Sequence, residues 1–253
     1  RCYVSPKISD IILMGSERIH LFDTPLLVSR NMGLAVDQRA AKRVMDILIS
    51  GIGIIITSPI MLIIAIAVKA YDRGPVFYFQ DRLTLGGKPF KICKFRSMCV
   101  DSEKNGARLA SKHDSRITPV GHVLRNLHLD ELPQLFNVFK GDMSLVGPRP
   151  ERESIMLEYE KELPEFYYRL KVKAGLTGYA QVYGKYNTTP YDKLKLDLFY
   201  IENYSFLLDI KLIFMTVKIF FQKEVSEGVD DRQVNALKDS GKNVGVSENK
   251  TEE

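Results

Sequence analysis

The strongest pattern along the chain is one uninterrupted apolar run. From Ile47 to Val68 there are 22 residues without a charged side chain, which at helical pitch would span roughly 33 Å and so match the hydrocarbon core of a bilayer. Lys42 and Arg43 precede the run, Lys69 and Arg73 follow it, and Ser58-Pro59 sits at its middle. A plain spanning helix accommodates this pattern. Two details favour instead a helix that dips into the bilayer, bends and returns. Positive charge marks the cytoplasmic side of a membrane segment, and here it marks both ends. Pro59 has no N–H and crowds the carbonyl four residues before it. The Ser58 hydroxyl can satisfy the backbone group so freed, which lipid cannot do.

Beyond the run, "VFYFQDRLTLGGKPFKICKFRSM" reads as two strands around a Gly86-Gly87 turn. Residues 101–114 are polar and read as a loop. Leu132, Leu135, Phe136 and Phe139 fall at i, i+3, i+4 and i+7, the single apolar stripe of a helix. Asp130 lies in its N-cap neighbourhood, Pro133 in its first turn, and Gly141 at its stop. "ERESIMLEYEKEL" predicts a further helix, "VKAGLTGYAQVYG" loop and strand, and Tyr191 to Gln222 helix again. In the last of these, Asp209 and Thr216 fall on one side and Lys211 and Lys218 on the other, which reads as a helix between a membrane surface and the protein body. The expected fold class is α+β: a re-entrant membrane helix hairpin, interfacial helices and a small β-hairpin or sheet. Residues 1–38 read as a linker or remnant of an upstream domain, with one strand in "ERIHLFDTPLLVSR". Residues 39–73 read as the membrane helix, 74–225 as a catalytic domain on the cytoplasmic face, and 226–253 as a disordered tail. A start at Arg1 rather than Met suggests the C-terminal part of a longer protein.

Composition adds less. Apolar residues make up 45% and charged residues 26% of the 253, as in globular proteins. The net charge is +5, and because residues 222–253 hold eight acidic and five basic side chains, the rest carries +8. A basic body suits a negative partner: an anionic membrane surface, a nucleotide phosphate or nucleic acid. Cys2, Cys93 and Cys99 are odd in number and lack C-x-x-C spacing, which suggests reduced thiols. His20, His113, His122 and His128 form no metal-ligand pattern. No P-loop, dinucleotide fingerprint or Gly-x-Ser-x-Gly elbow occurs. The apolar run argues against nucleic acid as the partner.

The candidate centre is Asp130-Glu131. Adjacent carboxylates at a helix start are common as plain terminal charge. Here Arg125 precedes them, Arg149 and Arg152 follow, and Lys91, Lys94 and Arg96 come from the hairpin. Pro148 and Pro150 stiffen the backbone on either side of Arg149. Carboxylates for a hard cation together with guanidinium groups for phosphate oxygens are what a magnesium–diphosphate site requires. A helix start would also favour an ionised Asp130, as a nucleophile needs.

At these residues the sequence resembles a known family. "LDELPQLFNVFKGDMSLVGPRPE" is similar to the signature of the bacterial sugar transferases, also called monotopic phosphoglycosyl transferases or polyprenyl-phosphate sugar phosphotransferases. "SPIMLIIAIAVK", "GPVFYFQDR", "GGKPFKICKFRSM", "RITPVGHVLR", "GLTGYAQVYGK" and "KLKLDLFYIENYSFLLDIK" resemble that family in the same order, so the likeness runs from about Lys42 to Lys223. Longer members carry a four-helix membrane region and a nucleotide-fold-like domain upstream. The resemblance implies a bacterial inner-membrane enzyme with a two-step reaction. Asp130 matches the nucleophile, which attacks the β-phosphate of a UDP-sugar, releases UMP and becomes an aspartyl phosphosugar. Undecaprenyl phosphate then takes the phosphosugar, a first membrane step of exopolysaccharide, capsule or O-antigen synthesis. Glu131 matches the adjacent acid, assigned with Asp130 to a Mg2+ site. Arg149 matches a phosphate contact, with Arg125, Lys94 and Arg96 assigned to the same pocket. Asp197 matches an acidic position without an assigned role. Ser58 and Pro59 match the family's helix-breaking pair. His128 stands where members often carry a small polar residue. The implied partners are the UDP-sugar, undecaprenyl phosphate and the lipid bilayer, with no nucleic acid; a homo-oligomer is compatible with the sequence.

Two rival readings remain at this stage. A glycosyltransferase releasing UDP would need a nucleotide-binding α/β fold, whose strand–helix alternation is missing. A non-catalytic membrane scaffold would use the same apolar hairpin and be indifferent to Asp130.

Overall fold

The computed structural model describes residues 6–14, 16–21, 24–29, 34–100, 114–184 and 188–220. The elements run α1 (Ile8–Met14), β1 (Ser16–Leu21), β2 (Thr24–Ser29), α2 (Val36–Asp72), β3 (Phe77–Leu83), β4 (Pro89–Phe95), α3 (Pro119–Asn126) and α4 (Gln134–Lys140). They continue with β5 (Ser144–Val146), α5 (Glu153–Glu162), β6 (Gly175–Thr177), α6 (Tyr179–Tyr183), α7 (Pro190–Glu202) and α8 (Phe206–Phe220). β1–β2 and β3–β4 are antiparallel pairs and β5–β6 is a parallel pair. Among the described residues the protein is therefore mostly helical with small sheets, an α+β arrangement. The loop expected at 101–114 lies outside the described residues except Asp114, and so does the tail expected from 226.

The β3–β4 hairpin forms where the sequence places it. Gly86 and Gly87 take φ of 68° and 75°, the left-handed region that a Cβ disfavours. The first segment gives a two-stranded hairpin rather than the single strand expected there. In "VKAGLTGYAQVYG", expected as loop and strand, Gly175–Thr177 is strand β6 and Tyr179–Tyr183 is helix α6, because β6 ends after three residues where its parallel partner β5 ends. The span from 191 divides into α7 and α8.

α2 is one helix of 37 residues, long and apolar enough to cross a membrane, and it continues through Pro59. Pro59 deprives the Ile55 carbonyl of its helical donor, and the Ser58 hydroxyl donates to that carbonyl at 2.8 Å. One face of α2 lies on the body. Met61, Ile64 and Val68 bury with Phe95 and Leu124, and a Cβ at Gly53 would sit 3.3 Å from the Leu135 side chain. The other face is bare: Ile55 is 73% exposed and Ile56 68%. Water would leave no such surface uncovered on a monomer.

The charges before the apolar run are tied inward, while Lys69 and Arg73 after it stay exposed. Lys42 pairs with buried Asp209 and with the Tyr200 hydroxyl. Arg43 donates to the Val138 and Phe139 carbonyls at 2.8 and 2.7 Å, satisfying the C-terminal end of α4. Asp46 accepts from Leu145 N–H and the Ser144 hydroxyl. At the far end, Asp72 pairs with Arg96. Both ends of α2 are thus bonded to the same body. α8 completes it, with Asp209 and Leu212 fully buried and Leu207 and Phe214 turned outward.

Candidate active site

The segment carrying Asp130-Glu131 is shaped by two special conformations. Thr118 caps α3, accepting from Gly121 N–H at 2.9 Å. Gly121 itself is required, since a Cβ there would lie 1.9 Å from the Ser97 carbonyl. After α3 the chain turns through His128 at φ 52°, one of two non-glycine residues with positive φ among those described. A single 3₁₀ turn, Leu129–Glu131, follows, and Pro133 caps α4. The sequence had put Asp130 at the start of the helix itself; it stands on the turn before, because Pro133 has no N–H to extend α4 backward. Gly141 ends α4 at φ 101° as expected. The predicted apolar stripe is buried in part: Leu132 and Leu135 pack against the cores, Phe136 and Phe139 stay about half exposed, and Gln134, Asn137 and Val138 bury beside them. Asn137 is used as a strand edge, accepting from Cys93 N–H and donating to the Lys91 carbonyl.

Glu131 is held by two cations. Its Oε1 accepts from Lys94 Nζ at 2.7 Å and from Arg149 Nη2 at 2.9 Å. Burial alone would raise its pKa; the charges of Arg149 and Lys94 outweigh that and hold the carboxyl well below the usual range. Asp130 is the opposite case. Burial, then the neighbouring Glu131 charge, raise its pKa, against the pull of Lys94, Arg125 and His128. Among the described residues no hydrogen bond or ion pair reaches its carboxylate. Two adjacent acids driven apart in basicity are a mark of divided roles: one fixed anion and one uncommitted, more basic carboxylate.

The loop bearing Arg149 is clamped carbonyl by carbonyl. Pro148 O accepts from Gly175 N–H at 2.9 Å and Glu151 O from Leu83 N–H at 3.0 Å. Arg149 O accepts from Arg169 Nη2 and Pro150 O from Arg82 Nη1, both at 3.0 Å. Arg169 is 2% exposed and pairs with Asp197, 1% exposed, at 2.7 Å. Glu151 gathers Lys193, Arg169 and Arg82 around it. Burial alone would raise the Glu151 carboxyl, but these cations bring it down to about 2.

The structure places Lys94 and Arg149 on Glu131 and the charge of Arg125 within reach of Asp130. Arg96 is directed elsewhere and pairs with Asp72 at the end of α2. Asp197 sits behind the site, fixing Arg169 and through it the Arg149 backbone. Arg169, Arg82, Glu151 and Lys193 were not singled out from the sequence. The signal was present for Glu151, which ends the quoted signature, but nothing local names its partners.

Among the described residues no cluster of three or more His, Cys, Asp or Glu could cage a metal. Magnesium does not need one, because it is commonly bound by one or two carboxylates with water and substrate phosphate oxygens. Glu131 spends both its contacts on Oε1, so Oε2 and the Asp130 carboxylate make a donor set that fits such an ion.

The family model described as "Bacterial sugar transferase" matches residues 37–223. A UDP-N-acetylgalactosamine-undecaprenyl-phosphate N-acetylgalactosaminephosphotransferase of Aeromonas hydrophila is 46% identical over 180 residues, 70% of this chain and 43% of that protein. A UDP-glucose:undecaprenyl-phosphate glucose-1-phosphate transferase of Klebsiella pneumoniae is 43% identical over 208 residues, 80% of this chain and 43% of that protein. A putative undecaprenyl-phosphate N-acetylgalactosaminyl 1-phosphate transferase of Bacillus subtilis is 49% identical over 131 residues, 52% of this chain and 73% of that protein. The chain thus spans less than half the length of the first two relatives.

Proposed function

The chain belongs to the bacterial sugar transferase family, and from that premise we propose that it moves a sugar phosphate from a UDP-sugar to undecaprenyl phosphate, releasing UMP. The observation that carries the reading is the pairing of an uncommitted, basic Asp130 with a Glu131 held by Lys94 and Arg149. In the first step a carboxylate oxygen of Asp130 attacks the β-phosphorus of the donor. The bond from that phosphorus to the bridging oxygen breaks, and UMP departs with the electron pair. In the second step a phosphate oxygen of the acceptor attacks the same phosphorus, displaces the Asp130 carboxylate and yields the lipid diphosphosugar. Covalent catalysis separates a hydrophilic donor from a lipid acceptor in time.

Arg149 and Arg125 would hold the donor's phosphate oxygens, and the clamped loop keeps Arg149 oriented before substrate arrives. Mg2+ would be held by Asp130 and Glu131 and would offset the diphosphate charge. Glu131 stays ionised across any working pH.

α2 would bring this centre to a membrane surface, at the cytoplasmic face of the bacterial inner membrane. We read it as entering and leaving on one side, with 39–73 as the membrane unit and 74–225 as the catalytic unit. Support comes from Lys42 and Asp46 at one end and Asp72 at the other, all bonded to the same body. The Ser58 bond to the Ile55 carbonyl supports a backbone adapted to lipid at Pro59.

The test is nucleotide release by the full-length protein in detergent, with undecaprenyl phosphate and a panel of UDP-sugars. UMP appearing with one sugar and lost in Asp130→Asn is the expected result. UDP in place of UMP would overturn phosphosugar transfer in favour of sugar transfer alone.

A further inference from the structure

A cavity of about 270 Å³ opens at the other end of α4 from Asp130-Glu131; α4 has seven residues, so the two lie roughly 10 Å apart or more. Its polar wall is made by Arg39, Arg43, Lys171 and Lys173, together with Lys42 and Asp46. Their partners set this cavity apart. Arg39 donates to the Leu34 carbonyl, Arg43 to the Val138 and Phe139 carbonyls, and Lys173 to the Gly141 carbonyl at 2.8 Å. Lys171 lies over the Tyr168 ring. None of these four forms an ion pair among the described residues. Lys42 is neutralised by Asp209, and Asp46 is already engaged with Ser144 and Leu145. Carbonyls orient cations but do not cancel their charge; four positive groups line the cavity with Asp46, while Asp142 and Glu202 act on Lys173 and Lys171 from nearby. Burial, then the neighbouring Arg43, hold the Lys173 ammonium below its usual pKa against the pull of Asp46 and Asp142.

We propose that this cavity is a second, non-reacting anion site that takes a phosphate group, supplied by the headgroup of an anionic phospholipid. Guanidinium and ammonium donors together suit phosphate oxygens. The location favours a lipid over a soluble phosphate. Lys42, Arg43 and Asp46 occupy the α2 turn immediately before the uncharged run begins at Ile47, which is the level of the lipid phosphates if α2 enters a bilayer. Leu34, Leu85 and Val172 give the cavity an apolar wall beside the cations, and Val44 and Leu48, on the same turns of α2, are exposed. The volume is just below the usual range for small-molecule sites, enough for a headgroup. The site rests on geometry independent of the reaction proposed above, whose acceptor phosphate must reach Asp130.

The experiment uses the full-length protein in a neutral detergent, titrated with dioleoylphosphatidylglycerol, dioleoylphosphatidylcholine or inorganic phosphate, with bound lipid counted by native mass spectrometry and phosphate followed by thermal shift. The expected result is one phosphatidylglycerol per chain in the wild type and in Asp130→Asn, with affinity at least ten-fold weaker in Arg39→Gln/Lys171→Gln and weakened by salt. Arg39 is exposed and Lys171 half-buried, so these changes leave the core alone; Lys173→Met provides an independent second variant with the same expected loss. Saturable binding of inorganic phosphate without lipid, lost in the same variants, would keep the anion site and overturn its assignment to a membrane lipid. Lipid binding unchanged in both variants, or lost in Asp130→Asn, would overturn the site itself.

Discussion

Removing Asp197 tests whether the charges behind the site act on stability, on catalysis, or on both. Asp197 is 1% exposed and Arg169 2%, with contacts at 2.7 and 3.0 Å. Asp197→Ala leaves the guanidinium in the interior with Glu151, at 3.5 Å, as its one remaining carboxylate partner among the described residues. Breaking a buried pair from one side costs about 3–5 kcal/mol. For a domain of this size each kcal/mol shifts Tm by about 2–4 °C, so a fall of roughly 6–20 °C is expected. Burial raises the Asp197 pKa against the pull of Arg169, so the pair is not favourable enough to offset its own desolvation. The double variant Asp197→Leu/Arg169→Met, which removes both charges and fills the space, should therefore recover most of the lost Tm. It should not recover turnover, because the Arg149 carbonyl still lacks its Arg169 donor, the clamp on that residue's own backbone. Thermal melting and UMP release, measured on the full-length protein in one detergent, separate the two effects. A Tm change under about 2 °C in Asp197→Ala would refute the energetic argument. Full activity in the double variant would refute the positioning argument.

Three further outcomes follow from the same contacts. Ser58→Ala should lower Tm, since the Ile55 carbonyl loses its donor in apolar surroundings at about 1–3 kcal/mol, whereas Ser58→Ala in a Pro59→Ala background should be near neutral because replacing the proline restores the backbone N–H; equal effects in both backgrounds would contradict the bond. The Glu151 carboxyl lies at about 2 in the folded protein against 4.5 unperturbed, so the stability it contributes is present above pH 4.5 and is lost as pH falls toward 2; Tm should fall more steeply across that window in the wild type than in Glu151→Gln, and parallel curves would dismiss the cluster. Chelation of Mg2+ should abolish UMP release and its return restore it, while Tm stays within a few degrees, because Lys94 and Arg149 already neutralise Glu131; persistent turnover in chelator would remove the metal from the reaction.

Much of this was legible along the chain. The Gly86-Gly87 hairpin, α5, the Gly141 stop and the long apolar helix follow from local chemistry: a backbone position that only glycine takes easily, a periodicity, a length. The Ser58 bond to the Ile55 carbonyl is equally local, a donor one residue before the proline that removes one. Asp130-Glu131 is adjacent in sequence, and its shaping by Pro133 needs no distant partner.

Sequence could not decide which charges meet. Lys94 and Arg96 are two residues apart, and strand alternation would put them on one face. β4 ends at Phe95, so Lys94 reaches Glu131 while Arg96, free of the pleat, turns to Asp72. Asp197 finds Arg169 across 28 residues and Lys42 finds Asp209 across 167. α4 buries Asn137 as well as part of its apolar stripe, because β4 offers an unpaired edge on one side while α2 offers glycines to Leu135 and Phe139 on the other. Periodicity and turn chemistry act between near neighbours and are written into any short stretch. Ion pairing and burial depend on what packing carries into reach, and a desolvated charge takes whichever partner the tertiary fold supplies.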